Sequence, residues 1–327
     1  MFLTKKRRAK LFKFLRLTRL PCFPFTLEAD PGNICNLRCP LCPTGTGEPG
    51  AKKGFMETGL FKRIFDQLEG NLQAINLYSW GEPLLNPHLI DMVKYVKEKN
   101  SSIRVVTSTN LNIRDDSLLE GLICAGIDEI IVSCDGASKE TYVKYRVGGD
   151  FELVIRNLNF LVRKNRELGG KTNIIWNFLV FRHNEHEVGI AKDMAKGIGV
   201  TLNIGMMRTS LKDEILKPHK EAIERDKAWI PDNPEYSAYN KKGCDVKKAI
   251  RTCRKPWQSI AVSWDGLVFP CCAVFEDKYN FGDAKKDPIK KIWNSRKFVL
   301  ARKEILNKKS PAGTICGICR NNGFMHM

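Results

Sequence analysis

The sequence predicts an α/β fold: a partial (β/α)6 TIM-like barrel followed by a small C-terminal unit of a β-hairpin and a helix. Three observations predict it. Short β-branched runs alternate six times with amphipathic helical stretches, the pattern of parallel strands joined by right-handed crossovers. Each cluster of Cys, Gly, Glu, Ser, Asp and Asn falls just after such a run, where β/α barrels gather their functional loops. Beyond the last crossover, two apolar runs flank Asp265-Gly266, a tight-turn dipeptide.

Taken in order, residues 1–21 are a basic arm. FTLEA (25–29) reads as the first strand, followed by the loop NICNLRCPLC and a helix near 58–69. AINLYSW (74–80) and IRVVTST (103–109) are the next strands, with helices near 88–99 and 115–125. EIIVSCD (129–135) and NIIWNFLVF (173–181) follow, with helices near 151–167 and 185–197, and VTLNIGM (200–206) is the sixth strand. The barrel is therefore expected over 22–208. Residues 209–250 are charged, hold Pro218, Pro231 and Pro234, and lack strand alternation, so they read as a helical or irregular connector. SIAVSWDGLVFPCC (259–272) reads as a hairpin, because glycine supplies the positive φ of the turn. A helix near 288–306 and the segment CGICR complete a second, small domain over 251–327.

With 43% hydrophobic residues over 327 positions, the chain has the composition of a globular protein rather than a disordered one. Lys13, Arg16 and Arg19 interrupt what a signal peptide would need as an apolar core. No apolar run approaches the ~20 residues that span a bilayer. A cytoplasmic location is expected, where grouped cysteines usually bind metal or do catalysis. The formal charge of +18 is concentrated in residues 1–20, 241–255 and 285–309, leaving the main body near neutral. No aromatic-rich RNA-binding motif accompanies this charge, so a solvated basic surface is favoured over a nucleic-acid interface. The arm mixes its Lys and Arg with Leu11, Phe12, Phe14, Leu15 and Leu17, as an interfacial helix on an anionic membrane would.

The loop after the first strand carries Cys35, Cys39 and Cys42. Three thiolates can hold three irons of a cubane cluster and leave the fourth iron open to a non-protein ligand, whereas zinc would want a fourth ligand that the loop lacks. Cys35-x3-Cys39-x2-Cys42, at that barrel position and together with Gly81-Glu82-Pro83 after the second strand, resembles the signature of the radical S-adenosylmethionine (SAM) superfamily. The resemblance spans about residues 22–322. It implies a [4Fe-4S] cluster whose open iron is chelated by SAM. Reductive cleavage then gives a 5′-deoxyadenosyl radical that removes a hydrogen atom from substrate.

It also implies SAM contacts from Gly81, Glu82 and Pro83, from Ser108, Thr109 and Asn110 at the end of the third strand, and from Ser133 and Arg146. Leu41 departs from the aromatic residue that relatives carry before the third cysteine.

In the C-terminal part, Cys253-x12-Gly266-x4-Cys271-x44-Cys316-x2-Cys319 resembles the opening of a SPASM domain, and more closely its truncated twitch form with one auxiliary cluster. Four thiolates would fill a second [4Fe-4S] cluster, suiting electron transfer. A structural zinc is the other reading of the same residues, and Cys272 is an alternative to Cys271. Cys22, Cys124, Cys134 and Cys244 read as inert, with Cys134 at the barrel mouth as a candidate hydrogen-atom donor. If Ser133 faces inward, alternation turns Cys134 outward.

The expected function is that of a radical SAM oxidoreductase acting on a small molecule, saccharide- or cyclitol-like, or on a peptide. The auxiliary cluster would accept an electron, and flavodoxin or ferredoxin would supply the low-potential reductant. The alternatives are a peptide-modifying enzyme, an epimerase using a thiol, and, from another class, a non-catalytic basic zinc protein binding nucleic acid.

Overall fold

Six parallel strands form in the expected places: β1 (Thr26–Ala29), β2 (Ala74–Leu77), β3 (Arg104–Thr109), β4 (Glu129–Ser133), β5 (Asn173–Val180) and β6 (Thr201–Met206). The computed structural model describes residues 5–47, 52–209, 219–239, 252–307 and 310–322. The connector segments 210–218 and 240–251 lie outside the described residues, and with them Cys244 and most of the basic run 241–255.

The crossovers pack amphipathic helices outside the sheet. Helix α2 (Thr58–Leu68) buries Leu60, Phe61, Ile64, Phe65 and Leu68, the i, i+3, i+4 stripe of one helical face. Strand β5 alternates in the complementary way, burying Ile174, Trp176, Phe178 and Val180. Side-chain caps start the helices where the sequence offers them. Asp115 accepts from Leu118 N–H ahead of α4 (Asp116–Cys124), and Asp150 from Leu153 N–H ahead of α6 (Phe151–Glu167). A short helix, α5 (Lys139–Tyr145), was not expected from the sequence; Ser138 caps it.

The expected hairpin forms as β7 (Ser259–Val262) and β8 (Leu267–Phe269), with Gly266 at φ +91° in its turn. It does not stand apart from the barrel sheet. Strand β7 pairs in parallel with β1, from Thr26 opposite Ser259 to Ala29 opposite Val262. A short β9 (Gly282–Asp283) completes the order β6-β5-β4-β3-β2-β1-β7-β8-β9 among the described residues. Because β7 runs parallel to β1, its C-terminal end opens on the same face as the barrel's functional loops. The helix expected near 288–306 is broken into Ile289–Trp293 and Arg296–Leu306.

The break falls where Asn294 is engaged elsewhere. Its amide accepts from Leu20 N–H at 3.0 Å and donates to Leu20 O at 2.9 Å, pinning the arm. Trp257 Nε1 donates to Leu17 O, Trp293 Nε1 to Cys22 O, and Arg302 Nη1 to Thr18 O, each at 2.9 Å. The arm, helical over Lys5–Phe14, is thus docked on the C-terminal part, with Phe14 81% exposed at its surface. Replacing Asn294 by Ala removes both hydrogen bonds to Leu20 and is expected to cost about 2 kcal/mol. The check is a melting curve together with the rate of tryptic cleavage after Arg19, which should rise. No helix among the described residues is long and apolar enough to cross a membrane.

Candidate functional site

The cysteine loop leaves β1 and folds back over the loop that follows β2. Gly81 is what permits the approach: a Cβ there would stand 2.1 Å from Gly32 O and 2.8 Å from Ile34 O. The next residue closes the contact, Glu82 N–H donating to Ile34 O at 2.8 Å. Glycine at this position is therefore required by backbone packing, whatever ligand binds nearby.

Glu82 is 2% exposed and both its carboxylate oxygens are occupied. Oε1 accepts from Leu84 N–H at 3.0 Å and Thr109 Oγ1 at 2.7 Å, and Oε2 from Asn110 N–H at 2.7 Å. It caps the turn Pro83–Leu85 and ties the β2 loop to the end of β3. Burial raises its pKa against the pull of these donors. Sequence reading expects a carboxylate beside a cationic ligand. The observed carboxylate holds two loops together.

Cys35, Cys39 and Cys42 line one cavity of about 200 Å³ with Gly81, Glu82, Ser108, Thr109, Asn110, Ser133 and Arg146. Pro83 is buried just behind it. Ser108 and Ser133 meet across β3 and β4 at 3.3 Å. Leu37 N–H approaches Cys35 Sγ at 3.4 Å and Asn110 Nδ2 approaches it at 3.7 Å. Donors of this kind bias the potential of a thiolate-held cluster. Leu41 is partly buried against the apolar group around Leu37, Tyr145 and Phe181.

Arg146 reaches the cavity from the end of α5. Its Nε and Nη2 both lie 2.7 Å from Asp135 Oδ2, and Nη1 lies 4.0 Å from Cys39 Sγ. Asp135 is fully buried, and its Oδ1 accepts from Leu179 N–H at 2.8 Å. The two-pronged contact with Asp135 keeps the guanidinium charged despite its burial. Tyr78, Trp80 and Tyr145 line the cavity and Asp135 holds Arg146 in it; the sequence reading gave none of these four a role, although Trp80 and Asp135 lie in its clusters WGEP and SCDG. Asp135 had a usable signal, since it lies two residues beyond Ser133 and so shares its strand face. Cys134 is not in the cavity. It is fully buried in the core on the opposite face, its Sγ 3.6 Å from Gly136 O.

The second cysteine set also converges. Cys253, Cys271, Cys316 and Cys319 line one mainly apolar pocket with Ile305 and Ile315, whereas Cys272 lines a neighbouring cleft. The backbone N–H of Cys272 donates to Glu28 Oε2 at 2.9 Å. The helix Ile315–Asn321 carries Cys316 and Cys319 three residues apart, hence on one face, and Thr314 caps it.

With no metal bound, both sulfur sets are held as neutral thiols. Burial pushes the Cys39 thiol up to about 11 and the Cys271 thiol up to about 12, and raises those of Cys35, Cys253 and Cys316 as well. At neutral pH these thiols are protonated, and metal binding would displace the protons. Among the described residues, no three His, Cys, Asp or Glu side chains converge closely enough to hold a single ion. One zinc draws its sulfurs to ~2.3 Å from one centre. In a cubane each thiolate takes a different iron, and three or four thiols lining one pocket match that ligand count.

A family model described as the radical SAM superfamily matches residues 30–194, just over half of the chain, and one described as an iron–sulfur cluster-binding domain (SPASM) matches residues 253–320. The chain is 25% identical over 310 residues to a tungsten-containing aldehyde ferredoxin oxidoreductase cofactor-modifying protein of Pyrococcus furiosus, across 87% of this chain and 85% of that one. It is 23% identical over 313 residues to an AdoMet-dependent heme synthase of Methanosarcina barkeri, with the same shares of the two chains. Among solved structures it is similar to BtrN in complex with AdoMet and 2-DOIA, with a TM-score of 0.53 and 19% identity over 92% of this chain and 94% of that one. It is also similar to Streptococcus suis SuiB bound to the precursor peptide SuiA, with a TM-score of 0.64 and 12% identity over 96% of this chain and 74% of that one. At such identities the structural likeness speaks to the fold alone.

Proposed function

Since this chain belongs to the radical SAM superfamily and carries a SPASM iron–sulfur cluster-binding domain, we propose that it is an oxidoreductase that removes a hydrogen atom, and then an electron, from a small polyhydroxylated molecule. Cys35, Cys39 and Cys42 would hold the SAM-binding [4Fe-4S] cluster, and Cys253, Cys271, Cys316 and Cys319 the auxiliary one. The first group, when bound with SAM, supplies a primary carbon radical able to attack an unactivated C–H bond. What this chain contributes is placement. The Gly81 turn and the Ser108–Ser133 pair shape the SAM cavity, and Arg146 is aimed across it by Asp135. The auxiliary set, saturated by four thiolates, suits the acceptance of an electron rather than the binding of substrate. Flavodoxin or ferredoxin is the expected donor. The barrel over 22–208 and the auxiliary unit over 251–327 remain the division we favour.

The observation that carries this reading is that two separate sets of thiols each line one pocket, and that both pockets share wall residues with one cleft beside a continuous sheet. The test is a paired iron count and cleavage assay. Anaerobically reconstituted protein should bind about eight irons. The variant Cys316→Ala/Cys319→Ala should bind about four and still form 5′-deoxyadenosine from SAM under reductant. An unchanged iron count in the folded variant would remove the auxiliary cluster, and with it the electron-accepting role.

A further inference from the structure

The arm that docks on the C-terminal part leaves one of its faces uncovered. Its helix Lys5–Phe14 turns Ala9, which is 3% exposed, and Phe12 toward the core. On the same side Lys13 Nζ reaches Thr252 Oγ1 and sits 5.8 Å from the centre of the Trp257 ring. Leu11, Phe14 and Leu15, spaced i, i+3, i+4, form a ridge on the opposite side. They are 36%, 81% and 54% exposed, and Phe14 is the most exposed large apolar side chain among the described residues. Single exposed apolar residues need no explanation; three along one ridge, rimmed by charge, are the pattern of an interaction site.

The ridge is held in place. The helix ends in a Schellman turn, Leu17 N–H donating to Phe12 O at 2.8 Å and Arg16 N–H to Lys13 O at 3.0 Å, with Arg16 at φ +57° where glycine is the usual residue. Beyond the turn the chain runs antiparallel to the helix Arg296–Leu306. Arg16 Nη2 donates to Leu306 O at 3.3 Å, Arg302 Nη1 to Thr18 O at 2.9 Å, and Leu20 pairs with Asn294. A fixed platform, not a loose tail, presents the exposed side chains.

The charge around them is of one sign. Residues 1–20 hold eight Lys and Arg and no Asp or Glu. Lys10 and Arg16, chain neighbours of the ridge residues, are exposed, and so is Arg19. The helix Arg296–Leu306 exposes Arg296, Lys297 and Lys303 and no acid. A second copy of this chain would set like charge against like, because a two-fold contact places the same patch on both sides. A polynucleotide would answer the charge and leave Phe14 and Leu15 in water. Three apolar side chains fall well short of the roughly 800 Å² that each partner of a stable protein complex covers. A lipid leaflet with anionic headgroups answers both features, taking apolar side chains below the headgroups and cations among them.

We propose that this face of the arm is a membrane-docking surface, and that its partner is a bilayer leaflet rich in anionic phospholipid. Leu11, Phe14 and Leu15 enter the acyl boundary, and Lys10, Arg16 and Arg19 lie among the phosphates. Because the arm is pinned to the C-terminal part, the protein rests on the bilayer by that part. The proposal is independent of the radical chemistry above.

The test is co-sedimentation of the anaerobically reconstituted full-length protein with vesicles of phosphatidylcholine alone, or of phosphatidylcholine mixed with phosphatidylglycerol. At low ionic strength the mixed vesicles should bind about a hundredfold more tightly, at about fivefold for each of the three exposed cations. Added salt should erode the difference. Phe14→Ser/Leu15→Ser should weaken binding to the mixed vesicles at least about tenfold. Both side chains are exposed, so the melting curve of that variant without lipid should match the wild type. Phe14→Trp should be quenched by brominated acyl chains in the mixed vesicles more strongly than the wild type, which reads insertion directly. Equal sedimentation with the two kinds of vesicle, or with neither, overturns the proposal. So does binding that the double serine variant retains in full, which is charge alone and fits a polynucleotide. A concentration-dependent dimer of the wild type that the same variant loses overturns it too, since a second copy then covers this face.

Discussion

Replacing Cys35, Cys39 and Cys42 together by Ala should reduce 5′-deoxyadenosine formation to background while the auxiliary iron is retained. The argument is one of ligand count. The cavity that holds these thiols contains no further Cys, His or Asp among the described residues that could replace them, and the one acid on its lining, Glu82, has both oxygens engaged. The four auxiliary thiols line a separate pocket and do not depend on the cysteine loop. The iron count should fall by about half, because one cubane of two is lost. Fold should survive, since Gly81 and Glu82 anchor the loop through Gly32 and Ile34 rather than through the sulfurs. Cleavage of SAM by the folded triple variant at a measurable fraction of the wild-type rate would mean that the three thiols are not the cluster ligands.

Asp135→Ala should be strongly destabilising. It leaves the Arg146 guanidinium, 13% exposed, without its counter-ion, and removes the acceptor of Leu179 N–H. Breaking a buried pair from one side costs about 3–5 kcal/mol, because the remaining charge stays desolvated. For a chain of this size that is on the order of 10 °C in melting temperature. Asp135→Asn keeps the acceptor and the shape and loses only the charge, so it should fall between the two. SAM affinity should drop in both variants, because Arg146 is no longer directed across the cavity. A melting temperature within about 1 °C of wild type for Asp135→Ala would show that Arg146 finds water or another partner.

The strands were legible because short β-branched and aromatic runs recur between helical stretches, as in β5, where alternate residues are buried. β5 was expected over 173–181 and forms over Asn173–Val180. Helix α6 was legible because seventeen residues carry a full apolar stripe. Helix α5 was not, since seven residues are too few to show a period and its start rests on one hydroxyl, that of Ser138. The break at Asn294 is written nowhere locally, because it arises from an amide pinned to Leu20, far away in sequence. The cysteine spacing placed the first thiol set correctly at the end of β1. It could not separate Cys271 from Cys272, adjacent residues that the chain turns into different pockets.

The junction of β1 with β7 has a kinetic consequence. It joins Thr26 to Ser259 across most of the chain, so this seam belongs to the class of long-range contacts that close late and slowly. As the chain emerges from the ribosome, β1 can pair with β2 early, but its other edge has no partner until β7 has been made. An open strand edge is a template for pairing with another chain. Overproduction should therefore aggregate nascent protein through that edge, and a short peptide spanning 257–264, added in trans during refolding, should suppress the loss.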